Sequence, residues 1–170
     1  VEGNGNTVHD FTSMSGIENV VIATGALAPN TQLIDLEAAQ NVTVSGKNQT
    51  VGNASTADQN FGTIQLTNDA GTDRTITLDN TARLSNSTNG VRQDGVLTVN
   101  NLVIDTNPAT TVGATRTVTI VSDGERTSAN AIADFDGRDV QSLRLTGTQD
   151  LTINVDTIAD QAANTAAGTD

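Results

Sequence analysis

Short runs with apolar residues at every second position recur along nearly the whole chain. They include "ENVVIA" (18–23), "TQLIDL" (31–36), "NVTVSG" (41–46), "GTIQLT" (62–67) and "RTITLD" (74–79). The series continues with "GVLTVNNLVID" (95–105), "RTVTIV" (116–121), "QSLRLT" (141–146) and "DLTINV" (150–155). Period-two runs bounded by Gly, Asn, Asp and Ser predict strands with one buried face. No segment keeps a helical period, and "IDLEAAQ" (34–40) has room for one helical turn at most, with a strand-like start. Pro29 and Pro108 fall between runs, in "LAPNT" and "TNPAT", where a missing amide donor breaks no ladder. The Ala-rich "QAANTAAG" near the end reads as a loop or connector. The chain is predicted to be all-β.

Composition narrows the architecture. Of the 170 residues 35% are hydrophobic, with three Phe and neither Trp nor Tyr, so Val, Ile, Leu and Ala must fill a thin core. Two arrangements fit: a β-solenoid of the parallel β-helix kind, stacking along one axis, or tandem β-sandwich domains of about 100 residues each.

An internal echo bears on domain organisation. "NTVHDF" (6–11) matches "NAIADF" (130–135) at Asn, a β-branched residue, Asp and Phe. After a one-residue slip Ile17, Val20 and Ile22 align with Val140, Leu143 and Leu145, ahead of a Thr-Gly in both copies. The expected organisation is a β-rich repeat unit over 1–129 and the start of a second, incomplete copy over 130–170. "AGTD" at 70–73 precedes a strand and "AGTD" at 167–170 closes the chain, so an excerpt of a longer repetitive protein is expected, continuing into an "RTITL"-like strand.

The formal charge is −12, and Lys47 is the single lysine. Nucleic-acid binding needs the opposite field and is excluded. No apolar run approaches the roughly 20 residues of a membrane span. Without cysteine there are no disulfides and no thiolate metal sites.

Hard oxygen ligands are the chemistry the sequence does offer. "NAIADFDGRD" (130–139) places Asp134, Asp136 and Asp139 around Gly137, a set that suits calcium with backbone carbonyls completing the shell. An ordinary Asp-Gly turn is the alternative. It is no EF-hand, since the glycine comes early and Leu145 stands where a closing Glu would be. "NDAGTD" with Asp69 and Asp73, "RQDG" with Asp94, and "SDGE" with Asp123 and Glu125 are further acidic turns. Together they would gain from divalent ions, and Asp123 joins the candidate ligands.

Catalysis has little to work with. His9 is the only histidine and reads as an exposed turn residue. Paired carboxylates serve glycosidases, but the aromatic platforms usual in sugar sites are missing. A β-helical hydrolase is therefore the weakest reading, and no enzyme is expected. The sequons at Asn41, Asn48, Asn53 and Asn86 are what an Asn/Thr-rich chain contains by chance.

Residues 6–25, "NTVHDFTSMSGIENVVIATG", resemble segments that introduce β-roll rungs in type I secreted bacterial surface-layer and adhesin repeat proteins. Residues 130–155 do so too, and "LRLTGTQDLTINV" is similar to rungs of Caulobacter-type surface-layer proteins. The glycine-rich G-G-x-G-x-D nonapeptide of the calcium β-roll is absent, so only Asp10 and Asp134, in the matching phrases, inherit an expectation of calcium ligation. The resemblance implies secretion, a calcium-rich exterior and a structural or adhesive role. The expected function is thus a non-enzymatic unit of an extracellular calcium-stabilised fibre or surface layer that associates with like units. The alternative is a carbohydrate-binding or adhesive module of a large secreted adhesin, with a surface glycan as partner.

Overall fold

The computed structural model describes residues 2–3, 7–24, 30–36, 41–45, 50–51, 59–69, 73–80, 83–84, 96–106, 117–124, 128–137 and 140–158. Among them every regular element is a strand: β1 (Glu2–Gly3), β2 (Thr7–Asp10), β3 (Asn19–Thr24), β4 (Thr31–Ile34), β5 (Asn41–Ser45), β6 (Thr50–Val51) and β7 (Gln59–Asp69). There follow β8 (Arg74–Asn80), β9 (Arg83–Leu84), β10 (Leu97–Thr106), β11 (Thr117–Gly124), β12 (Asn130–Gly137), β13 (Ser142–Gly147) and β14 (Leu151–Ile158). Each of the nine alternating runs lies on a strand. The helical turn entertained after residue 34 begins as β4, and residues 37–40 lie outside the described set. So do both prolines and the Ala-rich tail.

Two six-stranded sheets contain all but the short β6–β9 pair, in the orders β1-β3-β5-β8-β11-β13 and β2-β4-β7-β10-β12-β14. Every pairing is parallel. The chain alternates between the sheets, laying one strand on each before advancing one step along the axis. This is a parallel β-solenoid, and it decides between the two architectures the sequence left open. Tandem sandwiches would require antiparallel ladders within each domain.

Register turns the sequence pattern into columns. Val20, Val42, Ile76, Ile120 and Leu145 stack in the first sheet. Thr7, Thr31, Ile64, Leu102 and Phe135 stack in the second. Side chains alternate across a strand, so the apolar half of each run faces the other sheet and the Thr/Asn half faces solvent. Ile64, Leu66, Ile76, Leu78, Val99 and Ile120 are fully buried in the resulting core, together with Phe61 and Phe135. The intervals within a column are unequal, because the connections between strands differ in length. The echoed segments both lie on the second sheet, but Thr7 stands in the column of Phe135, which puts Asp10 beyond Asp134 along the strand direction. The ladder between β10 and β12 begins at the Leu97–Asn130 pair.

The second sheet bends at one place on three successive rungs. In β7, β10 and β12 the buried pairs Phe61/Ile64, Val99/Leu102 and Ile132/Phe135 are three residues apart instead of two, and they are in register. Two adjacent residues therefore sit between inward positions: Gly62 and Thr63, Asn100 and Asn101, Ala133 and Asp134. Such a phase slip bends the strand, as a bulge does.

Polar groups fasten one corner of the stack from inside. Asn130 is fully buried, and its Nδ2 donates to Ser122 Oγ at 2.9 Å, with the Asp123 and Leu78 carbonyls at 3.1 and 3.3 Å. The Ser122 carbonyl accepts from the amides of Thr148 and Gln149 at 2.9 and 3.0 Å. One buried asparagine thus links strand ends of the first sheet to the start of β12 in the second.

Candidate functional site

The stretch that the sequence presents as an acidic loop is mostly a strand. β12 carries Asp134 and Asp136 on either side of inward-facing Phe135, with parallel partners on both edges. A turn does begin at Gly137, whose carbonyl accepts from the Val140 amide at 3.0 Å, but Asp134 and Asp136 precede it on the strand, where Phe135 enters the core through the phase slip that hides the alternation. Both carboxylates lie on the outer side, with Cα atoms about 6.6–6.8 Å apart as for any i, i+2 pair on a strand. Asp139 lies outside the described residues, as do Asp94 and Glu125.

Elsewhere single aspartates fasten rungs together. Asp123 Oδ1 accepts from the Thr148 hydroxyl at 2.6 Å and from its amide at 3.3 Å. Asp73 Oδ1 accepts from the Thr117 amide at 2.8 Å, and Asp79 Oδ2 from the Ser45 hydroxyl at 3.2 Å. Each of these acids bridges neighbouring rungs by accepting a hydrogen bond, Asp73 just ahead of β8 and Asp79 and Asp123 near the ends of β8 and β11.

Asp10 has a different setting. Its Oδ1 accepts from the Thr12 amide at 2.9 Å and faces the Thr12 hydroxyl, which also lies 2.7 Å from Asp35 Oδ2. A hydroxyl carries one proton, so it can donate to only one of these carboxylates at a time. The hydrogen bonds from the Thr12 side chain and backbone hold the Asp10 carboxyl below its ordinary pKa. Asp35, which the sequence reading passed over as part of a strand run, sits just after β4 in the left-handed region with φ 57°. Its signal was an aspartate at the end of a short run, one of the few residue types that tolerate that conformation. Among the described residues no three His, Asp or Glu side chains gather closely enough to hold a metal.

His9 is not the exposed turn residue expected. It lies on β2 in register with buried Leu33, is partly buried, and its Nε2 is shut off from solvent without a hydrogen-bond partner. Burial pushes the imidazole below its ordinary pKa. The unfolded chain therefore takes up this proton more readily than the folded one. Stability is fully present above the unfolded value of about 6.5 and falls as pH drops below it, until the lowered folded value is passed. Melting midpoints should decline in that window, and His9→Gln should flatten the decline. A slope unchanged by the substitution would remove His9 as its cause.

A second feature lies on the outer face of the second sheet. Thr7, Val8, Asn30, Thr31, Gln32, Thr63 and Gln65 line an open groove of about 360 Å³. Val8, Gln32 and Gln65 form one outward column, and Thr63 lies beside it at the bend. The Thr63 amide donates to Asn30 Oδ1 at 2.7 Å, and Gln32 Nε2 donates to Thr67 Oγ1 at 2.8 Å. No charged side chain contributes to the lining.

The chain matches no protein-family model, no curated protein and no solved structure. Fold and local chemistry are thus the basis for a functional reading.

Proposed function

We propose that this chain is a structural, non-enzymatic segment of an extracellular fibre or surface layer, stabilised by calcium. One observation carries the proposal. The outermost strands β13 and β14 leave core-facing side chains uncovered: Leu145 is 49% and Val155 38% exposed, while their register partners Ile120 and Phe135 are fully buried. Another rung laid on these strands, from a like unit, would bury both side chains and pair the open strand edges. A parallel stack has no intrinsic stop, and open edges are templates for further strands. Calcium enters through the acidic surface, where, among the described residues, the convergence of Asp10 and Asp35 on one hydroxyl is the closest approach to a cation site. The single histidine faces the core, which leaves the chain without an imidazole base at the surface.

Two measurements test this reading. Electron microscopy of concentrated protein with calcium should show ordered linear or lattice assemblies, and Leu145→Asp with Val155→Asp should abolish them. A monomer that never assembles would sink the fibre role. Melting with calcium and with EGTA tests the ion separately. Binding to the folded state alone adds about 2.7 kcal/mol at a hundredfold excess over Kd, and an unchanged midpoint would remove calcium from the account.

A further inference from the structure

We infer that the groove between Val8, Asn30 and Gln65 binds a neutral saccharide chain lying along the solenoid axis. This assignment is independent of the contact proposed at β13 and β14, since it uses the outer face of β2, β4 and β7 at the opposite end of the second sheet. At about 360 Å³ the groove falls in the range of small-molecule sites, about 300–1,000 Å³.

Its chemistry selects the ligand. In a chain of net charge −12 the lining holds only amides, hydroxyls and one valine. Neither an anion nor a cation finds a counter-charge there. Among the described residues the Gln65 side chain makes no hydrogen bond, so its amide offers both donors and an acceptor to a ligand. Val8, 60% exposed, supplies an apolar surface for the C–H face of a sugar ring.

Repetition along the groove favours a polymer of hydroxylated units. Gln32 and Gln65 stand in register on adjacent rungs, as do the main chains of Thr31 and Ile64 beside them. Neighbouring strands are about 4.7–4.9 Å apart, close to the advance of one sugar unit in an extended glycan, so successive units meet equivalent side chains. A polypeptide suits the groove less well. Extended peptides are usually held by main-chain bonds along a sheet edge, whereas this groove crosses the outer faces of β2, β4 and β7 and presents side chains.

The test is titration of ¹⁵N-labelled protein, followed by the side-chain amide signals of Gln32 and Gln65. The probes are cellotetraose, mannotetraose and chitotetraose, with trigalacturonate as an anionic control and tetra-alanine as a peptide control. At least one neutral oligosaccharide should shift these signals saturably, and the two controls should not. Gln65→Ala should weaken that binding about tenfold, the equivalent of about 1.4 kcal/mol. Val8→Trp, which adds a platform at an exposed position, should tighten it about tenfold and keeps the test informative if the first variant folds poorly. Silence with all three neutral probes, or equal shifts with trigalacturonate or tetra-alanine, would overturn the assignment. Binding that neither substitution alters would overturn it too, by placing the sugar elsewhere.

Discussion

Phe135→Ala should destabilise the fold by about 3–5 kcal/mol, the range for deleting a fully buried aromatic ring. Phe135 is completely buried and enters the core just after the phase slip in β12, where Leu102 of β10 is its partner in register. Its register partners are the branched aliphatics Leu102, on β10, which is paired on both edges, and Val155, on the edge strand β14. The β10 side cannot move inward far, so much of the cavity should persist and its cost be felt. Phe11, at the corner after β2 and 6% exposed, provides the comparison. Its loss should cost less, because the end of the stack can relax. The measure is the urea midpoint at constant slope, which reports stability without a change in the denatured state. A loss of about 1 kcal/mol or less at Phe135 would show that the core collapses around the gap.

The second large effect is expected at Gly147, which ends β13 with φ 126°. A Cβ there would overlap the Ser122 carbonyl and crowd the Ser122 amide on the neighbouring strand. Relief requires β13 to separate from β11, and that same carbonyl accepts the Thr148 and Gln149 amides. Gly147→Ala therefore combines an unfavourable backbone conformation with lost hydrogen bonds, and a destabilisation of about 3 kcal/mol or more is expected. Gly16 supplies the control, since it also has a positive φ, 76°, but nothing lies within 4 Å of an added Cβ. Gly16→Ala should cost only the backbone strain, about 1 kcal/mol. Hydrogen exchange should show the Gly147 variant opening first at β13 and β14. Equal losses at the two glycines would mean that close packing at the corner is not what requires Gly147.

The candidate site was legible only in parts. Asp123 and Asp134 were visible as acids, but their surroundings were not: one fastens Thr148, the other flanks a buried phenylalanine on a strand. Asp35 meets Thr12 only because the chain returns beside β2 one rung later, a contact 23 residues apart. The groove was invisible for the same reason. Gln32, Thr63 and Val8 are ordinary outward residues in three separate runs until register places them side by side.

What the sequence determined by itself was the set of strands with a readable stretch of alternation, and with it the all-β class and the thin aliphatic core. Those properties are local: a side chain alternates faces whatever strand lies next to it. Strand β12 escaped because Ala133 and Asp134 interrupt a run too short to alternate clearly on either side, unlike the longer β10 run with the same slip. Strand β2 escaped because its four residues read as an echo phrase with a turn histidine, and β1, β6 and β9 because two residues show no period. Only the tertiary structure decided that the strands pair in parallel and stack as a solenoid, that β7, β10 and β12 bend at a common register, and which polar side chains share a surface. Pairing depends on where each connection delivers the next strand, and period-two alternation is equally satisfied by a sandwich and a solenoid. The hydrogen bonds and apolar contacts that favour one of them form between residues tens of positions apart, so their energy is written in the assembled stack and not in any single run.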